Sequence, residues 1–148
     1  GIYTTYRRMG DFSLIQSGIV LSGANKNWSV TDSSYYDDGI LTAFEISQLN
    51  LQKTKLVVLS ACDTGVGEIS NSEGVYGLRR AFKIAGVDKI LMSLWSVADY
   101  QTMEFMNLFY ENLCTKKLSP RLALCATQQT MRQKKYEPYY WAGFVLIE

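Results

Sequence analysis

The feature that most constrains this chain is the apolar segment at residues 55–62, which reads Lys-Leu-Val-Val-Leu-Ser-Ala-Cys. Valine and leucine in a short, nearly continuous run are typical of a strand buried on both faces of a parallel sheet. Gly65 and Gly67 follow it and predict a loop at the carboxyl end of that strand. Ligand and active sites of open parallel sheets lie outside the carboxyl ends of the strands, so Cys62 stands where a nucleophile would stand.

The rest of the chain alternates between short apolar runs and longer segments with helical periodicity. Helices of about a dozen residues between strands indicate crossover units, and these predict an α/β fold with a mostly parallel sheet flanked by helices. Residues 25–39 are polar and are expected to form a long loop. The further strands are expected at 18–21, 89–95 and 144–147, and the helices at 41–49, 72–85, 99–114 and 120–134.

The chain contains no histidine. A cysteine nucleophile usually needs a neighbouring imidazole to accept its proton, and this sequence cannot supply one. We therefore expect this chain to be the part of an enzyme that carries the nucleophile, with the N-terminal strands of the sheet and the base lying upstream. The alternative is that Cys62 is a small buried apolar residue, as most free cysteines are.

Composition excludes several other classes of function. The formal net charge is +1, which gives no electrostatic basis for binding nucleic acid, and no apolar run has the roughly 18 residues that would span a membrane. The three cysteines lack CxxC spacing, which favours reduced thiols and a cytoplasmic protein. We expect no metal site and no cofactor, and we expect Cys114 and Cys125 to be buried thiols on helices.

Two further patterns have competing interpretations. Gly65 and Gly67 could belong to a phosphate-binding loop, but Ser70 stands where a third glycine is needed, so nucleotide binding is the weaker alternative. Asp99 follows the strand expected at 89–95 and could line a substrate pocket at its carboxyl end. Its ordinary interpretation is the N-cap of the next helix. Trp95 is interpreted as a packing residue.

Several motifs resemble those of one known family. Residues 59–65, Leu-Ser-Ala-Cys-Asp-Thr-Gly, are similar to the nucleophile motif of the CHAT peptidases. These are caspase-like domains associated with tetratricopeptide repeats, in the caspase/separase clan. The similarity covers nearly the whole chain in order, including residues 17–25, DGILTAFEI at 38–46, EGV with GL and AF between 73 and 82, SLWSVAD at 93–99 and PYYWAGF at 138–144.

This resemblance implies a Cys-His dyad with Cys62 as the nucleophile and a histidine just upstream of residue 1. It implies that residues 1–148 are the C-terminal part of a CHAT caspase-like domain. Gly1 would be the glycine of the histidine motif, contributing a backbone N–H to the oxyanion hole with that of Cys62, or else a cloning remnant. Because several members of the clan cleave after basic residues, Asp99 is the first candidate for a substrate-binding carboxylate and Asp63 the second.

The function expected from the resemblance is a cysteine endopeptidase that hydrolyses peptide bonds, with this chain alone inactive. Its expected partners are a protein or peptide substrate, N-terminal tetratricopeptide repeats or a separate upstream fragment carrying the histidine, and a regulatory protein. The main alternative is a non-catalytic caspase-like interaction module, and the less favoured one is a nucleotide-binding α/β domain.

Overall fold

The computed structural model describes residues 14, 17–21, 39–59 and 71–148 of the 148-residue chain. These residues divide into two compact units. The hairpin unit comprises the described residues of 14–52 and 71–86, and the sheet unit comprises 53–59 and 87–148. The expected loop at 25–39 lies outside the described residues except for Gly39.

The hairpin unit contains two short antiparallel strands and two helices. Strand β1 (Gly18–Val20) pairs with β2 (Ile40–Thr42), and helix α1 (Ala43–Gln48) follows directly. Thr42 begins α1 with a capping box: its hydroxyl accepts from the Glu45 N–H at 3.2 Å, and its own N–H donates to the Glu45 carboxylate at 2.8 Å. Helix α2 (Asn71–Ile84) packs against α1.

The sheet unit has three described strands in the order β3 (Leu56–Leu59), β4 (Lys89–Ser93) and β5 (Phe144–Ile147). β3 and β4 are parallel, whereas β4 and β5 are antiparallel. Two helices lie between β4 and β5: α3 (Asp99–Tyr110), extended by a π-helical turn (Glu111–Thr115), and α4 (Pro120–Gln133). A three-residue 3₁₀ turn (Pro138–Tyr140) precedes β5.

The α/β fold class is confirmed, but among the described strand pairings only β3–β4 is parallel, since β1–β2 and β4–β5 are antiparallel. Strand β3, expected to be buried on both faces, is half-buried along its length. A single helix after a strand returns the chain to the start of the next parallel strand. Here α3 and α4 pack side by side, so the chain comes back to the carboxyl end of β4 and enters β5 in the reverse direction. The expected helix at 41–49 is likewise shorter, because its first residues belong to β2.

The core of the sheet unit lies between α3, α4 and the sheet. Phe105 and Phe144 stack with ring centroids 3.9 Å apart, and neither is more than 1% exposed. Burying two aromatic rings in van der Waals contact removes a large apolar area from water. Asn112 donates to the hydroxyl of Thr127 at 3.1 Å inside this core, and Thr127 donates to the Ala123 carbonyl at 2.8 Å. These bonds satisfy polar groups that would otherwise be costly to bury.

The helix α3 prediction was correct in position but not in its ends. It was expected to run to Cys114 as one α-helix, but it changes to the π-helical turn at Glu111. Helix α4 begins at residue 120 as predicted, and the structure has Ser119 as its N-cap and Pro120 at its first position. No helix in the described parts of the chain combines the length and apolarity that a membrane crossing requires.

Candidate functional site

Of the predicted site residues, the structure describes Asp99 but not the other three. Cys62, Asp63 and Gly1 lie outside the described residues, as does the alternative loop at Gly65 and Gly67. The structure does describe the strand that precedes Cys62 in the sequence. This strand, β3, ends at Leu59, which pairs in register with Met92 of β4. Because β3 and β4 are parallel, the chain leaves both strands at the same edge of the sheet.

The loop that leaves β4, residues 94–98, is held by hydrogen bonds to its backbone carbonyls. The Ser93 hydroxyl donates to the carbonyl of Trp95, and the Tyr139 hydroxyl donates to that of Ser96 at 2.7 Å. Thr102 binds the next two carbonyls, its hydroxyl donating to Val97 at 3.2 Å and its N–H to residue 98 at 3.0 Å. The four successive carbonyls of residues 95–98 therefore have partners, although this segment belongs to no strand.

The segment 134–143, which we call the strap, lies against this loop. The Trp95 indole N–H donates to the Tyr139 carbonyl at 2.8 Å, and the two rings stack with centroids 6.0 Å apart. The Leu94 N–H donates to the carbonyl of Gly143 at 2.9 Å. Together with the Tyr139–Ser96 bond, these contacts join the loop after β4 to the end of the chain that enters β5.

Gly143 is required by this arrangement because the indole ring covers it. A Cβ at residue 143 would lie 2.7 Å from Cε2 of Trp95, closer than side-chain carbons approach one another. The indole cannot turn aside without losing its bond to Tyr139. Trp95 is therefore more than the packing residue expected from the sequence, since it fixes the distance between loop and strap.

The strap is also attached to α3 through Glu104. Lys134 lies 2.5 Å from one carboxylate oxygen, and the Tyr136 hydroxyl donates to the other. The Lys134 hydrogen bond and then that of Tyr136 lower the pKa of Glu104 below its usual value. The same bond, with burial second, raises the pKa of Tyr136 to about 12. Glu104 is thus an ionised anchor for the strap, and each of its carboxylate oxygens accepts a hydrogen bond from a strap residue.

Asp99 stands at the beginning of α3 but does not cap it. The N-cap is Ala98, which has no side-chain cap, and Asp99 is the first helical residue. The expectation that Asp99 is the N-cap is therefore wrong by one position. Its side chain is exposed and makes no hydrogen bond or ion pair with any described residue. An anion at this position is favoured by the helix dipole and remains available to a cation.

Cys114 and Cys125 are both exposed free thiols, which contradicts the expectation that they are buried. Cys125 lies about a third of a helical turn away from the buried face of α4, which carries Leu124, Thr127 and Met131. It borders an open groove of about 480 Å³ between α4 and β5, next to Arg121. Helical position alone therefore did not determine burial; the side of the helix did.

Among the described residues, no group of three or more histidine, cysteine, aspartate or glutamate side chains is placed to hold a metal ion. The sequence reasoning also missed the strap residues, Tyr139 above all. The signal that could have found them is the sequence at 138–144, where three aromatic residues and a glycine precede an apolar strand. Such a segment has more ring area than a short turn can bury by itself, which indicates packing on a distant element.

A match to the CHAT domain family extends over residues 10–148, nearly the whole chain. The chain belongs to the CHAT domain family. Among curated proteins, it is 31% identical to human tetratricopeptide repeat protein 28 over 138 residues, and 30% identical to the mouse protein of the same name. The alignments cover 92% of this chain but only 5% and 6% of those relatives. The predicted resemblance to a repeat-associated CHAT domain is therefore confirmed.

Proposed function

We propose that this CHAT domain belongs to a cysteine endopeptidase, with Cys62 as the nucleophile and a histidine supplied from outside this chain. The observation that carries the proposal is the family match over residues 10–148, within which the cysteine follows a strand of a parallel pair. The thiolate attacks the scissile carbonyl, and the imidazole first accepts the thiol proton and then protonates the leaving amine. The backbone N–H groups of Cys62 and Gly1 are the proposed donors to the oxyanion.

The geometry of the sheet unit supports a substrate site at the shared edge of β3 and β4. Cys62 is three residues beyond Leu59, the last residue of β3, and Asp99 is six residues beyond Ser93, the last of β4. The chain leaves both strands in the same direction, and the loop 94–98 is held in place by four carbonyl bonds. A loop held by hydrogen bonds at the carboxyl edge of these strands is suited to orienting a peptide.

Asp99 is the proposed carboxylate for a basic residue before the cut, with Asp63 as the second candidate. Asp99 is exposed and without a partner among the described residues, whereas Glu104, one turn further along α3, is occupied by Lys134 and Tyr136. An aspartate can bind an arginine side chain through two parallel charge-assisted hydrogen bonds, which are roughly twice as strong as neutral ones.

The first test uses the chain with and without the upstream histidine segment. The isolated chain is expected to hydrolyse no peptide, because it contains no imidazole to accept the proton of the Cys62 thiol. The extended protein is expected to hydrolyse peptides and to lose this activity in Cys62→Ala. Turnover by the isolated chain that disappears in Cys62→Ala, or an extended protein whose turnover survives Cys62→Ala, would contradict the proposed dyad.

The second test compares the three thiols in the extended protein. Because Cys114 and Cys125 are exposed, the extent of alkylation does not distinguish them from a nucleophile, but its rate near pH 6 does. An ordinary thiol of pKa about 8.5 is less than about 1% ionised there, whereas an imidazole-paired thiol is largely ionised. Limiting iodoacetamide and mass-spectrometric mapping should show Cys62 reacting first. Faster labelling of Cys114 or Cys125 would count against Cys62.

The third test addresses the specificity carboxylate with a peptide library varied at the residue before the cut. Asp99→Asn should selectively reduce cleavage after arginine and lysine. Since Asp99 is not the N-cap, the substitution removes a dipole contact of only about 0.3–1 kcal/mol and leaves the helix intact. Glu111→Gln is the matched control, an exposed carboxylate at the other end of α3. Equal effects of the two variants would exclude Asp99 from the pocket.

A non-catalytic interaction module remains the second candidate, and the absence of histidine from the chain favours it. A module of this kind would keep the fold and bind a partner without chemistry. The natural sequence immediately upstream separates the two candidates, since a histidine followed by glycine supports the enzyme. The absence of any histidine there would favour the module.

The curated relatives are named tetratricopeptide repeat proteins, and this supports our proposal that repeats or an upstream fragment of the same protein are the partner of this chain. Among the described strands, β3 is at one end of the sheet order. An apolar edge strand invites pairing with another segment. Binding of an upstream fragment, or self-association in sedimentation, is the expected result. A chain that stays monomeric and binds no upstream fragment would contradict the proposed pairing.

A further inference from the structure

Tyr139 makes three separate contacts with the loop that leaves β4. Its hydroxyl donates to the Ser96 carbonyl at 2.7 Å, its carbonyl accepts from the Trp95 indole at 2.8 Å, and its ring stacks on that indole. The side chain is nevertheless 53% exposed, so packing into a core does not explain these contacts.

Among the described residues, only Tyr139 binds the middle residue of the loop, Ser96, from a distant part of the sequence. The carbonyls of Trp95, Val97 and Ala98 are bound by Ser93 or Thr102, which are neighbours along the chain. The carbonyl of Ser96, by contrast, is bound by Tyr139. The strap therefore determines where the centre of the loop lies relative to the sheet.

The strap is itself held at both of its ends. Before Tyr139, Lys134 and Tyr136 bind Glu104 of α3, and the Trp141 indole donates to the Tyr136 carbonyl at 3.2 Å. After it, the Gly143 carbonyl accepts from the Leu94 N–H at 2.9 Å, next to β5. Because the strap is bound on both sides of Tyr139, the positions of α3 and β5 determine where Tyr139 holds the loop.

We infer that Tyr139 is a positioning residue for substrate recognition, holding loop 94–98 so that Asp99 faces a basic side chain. This inference rests on the proposed peptidase function. Asp99 is the first residue of α3 and directly follows Ala98, the last residue of the loop. The position of the loop therefore determines the position of the Asp99 backbone. Loss of the Tyr139 hydroxyl should therefore weaken the recognition of basic residues without removing the nucleophile or its base.

The experiment uses Tyr139→Phe, which keeps the ring and the carbonyl and removes one hydrogen bond. Trp95→Phe is the second variant, because it removes the reciprocal N–H bond to Tyr139 while keeping an aromatic ring. The matched control is Tyr110→Phe. Tyr110 is 44% exposed, and its hydroxyl makes no hydrogen bond to a described residue.

The first readout needs no activity: hydrogen exchange of the amides of residues 94–98 in the full chain. A lost neutral hydrogen bond should speed local exchange by roughly 3- to 10-fold in Tyr139→Phe and Trp95→Phe, with no change in Tyr110→Phe. Unchanged exchange in Tyr139→Phe would overturn the inference, whatever the protein does to peptides.

The second readout is the ratio of kcat/KM for basic over neutral peptides in the histidine-extended protein. In Tyr139→Phe we expect this ratio to fall by roughly 3- to 10-fold through KM, with kcat for neutral peptides retained. Faster exchange with an unchanged ratio would overturn the positioning role. A wild type without basic preference would overturn the role proposed for Asp99, and the inferred recognition role of Tyr139 with it, even if loop exchange responds.

Discussion

The hairpin unit and the sheet unit differ in what they bury. Fully buried positions of the sheet unit are occupied by large side chains such as Phe105, Phe109 and Met131, all 0% exposed. Those of the hairpin unit are mostly alanines, with Ile46 as the largest side chain at 0%. Large apolar residues that are more than 40% exposed number seven in the hairpin unit and six in the sheet unit, although fewer residues of the hairpin unit are described. Those of the hairpin unit are Val20, Leu21, Ile40, Phe44, Leu49, Tyr76 and Ile84.

Because both units are compact, this difference in buried side chains predicts a difference in their stability. Small side chains let α1 and α2 approach closely, but each alanine removes little apolar area from water, whereas a phenylalanine removes 150–250 Å². We therefore expect the hairpin unit to open at lower free energy than the sheet unit, as native-state hydrogen exchange would measure.

The largest test of the comparison is a matched pair of phenylalanines. Phe105→Ala should destabilise the sheet unit by about 3–5 kcal/mol, because it removes the stack on Phe144 and leaves a cavity. Phe44→Ala, at a side chain 53% exposed in the hairpin unit, should change stability by less than about 0.5 kcal/mol. Hydrogen exchange in α3 and α1 reports each unit. A large effect of Phe44→Ala would show that the hairpin unit relies on that side chain.

The next test uses the ends of α2 and α4, where the chain of each unit adopts a positive φ, with glycine in one unit and lysine in the other. Gly86 follows α2 with φ +97°, and a Cβ there would lie 2.7 Å from Cγ of Gln52, so Gly86→Ala should cost about 1–3 kcal/mol. Lys135 follows α4 with φ 61°, where glycine is preferred. Lys135→Gly should therefore stabilise by about 0.5–1 kcal/mol. Urea unfolding measures both, and effects of the same sign would contradict this account.

The caps of α1 and α4 give a smaller contrast. Thr42 makes a reciprocal capping box with Glu45, whereas Ser119 accepts a single bond from the Leu122 N–H at 3.4 Å. Thr42→Ala should cost about 1 kcal/mol or slightly more, and Ser119→Ala less. Thr42→Ser is the control that retains the cap. Hydrogen exchange in the first turn of each helix checks the order, and a larger loss at Ser119 would reverse it.

The smallest expected effect is the pH dependence of the strap in the sheet unit. The folded-state pKa of Glu104 is depressed, so its contribution to stability is present above its usual pKa of 4.5 and is lost as pH falls through the lower folded value. The pKa of Tyr136 is raised from 10.0 to about 12, so its contribution is present below pH 10.0 and is lost toward pH 12. Urea unfolding against pH measures this.

Glu104→Gln is the matched variant for that measurement. It should flatten the acid limb and reduce the alkaline limb, because the same carboxylate serves both pairs. Glu111→Gln, whose partner Lys116 is also exposed, should leave both limbs nearly unchanged. An acid limb that persists in Glu104→Gln would assign it to another carboxylate.

Local signals predicted most elements of this CHAT domain. Strands β4 and β5 and the start of α4 at residue 120 were each predicted from residues a few positions apart. The same signals assigned the N-cap of α3 to Asp99 instead of Ala98, because the start of this helix is set by backbone conformation and not by a capping side chain. They also left Cys114 and Cys125 on the wrong side of their helices.

The sequence by itself determined the α/β class, the family motifs, the place of Cys62 shortly after an apolar strand and the lack of an imidazole in the chain. Only the tertiary structure decided the reversed direction of β5, the hold of Tyr139 on the loop after β4 and the pairing of Glu104 with Lys134 and Tyr136. The reason is the range of the interactions. Periodicity and capping act between neighbours along the chain, whereas these contacts join residues brought together only when α3 and α4 pack on the sheet.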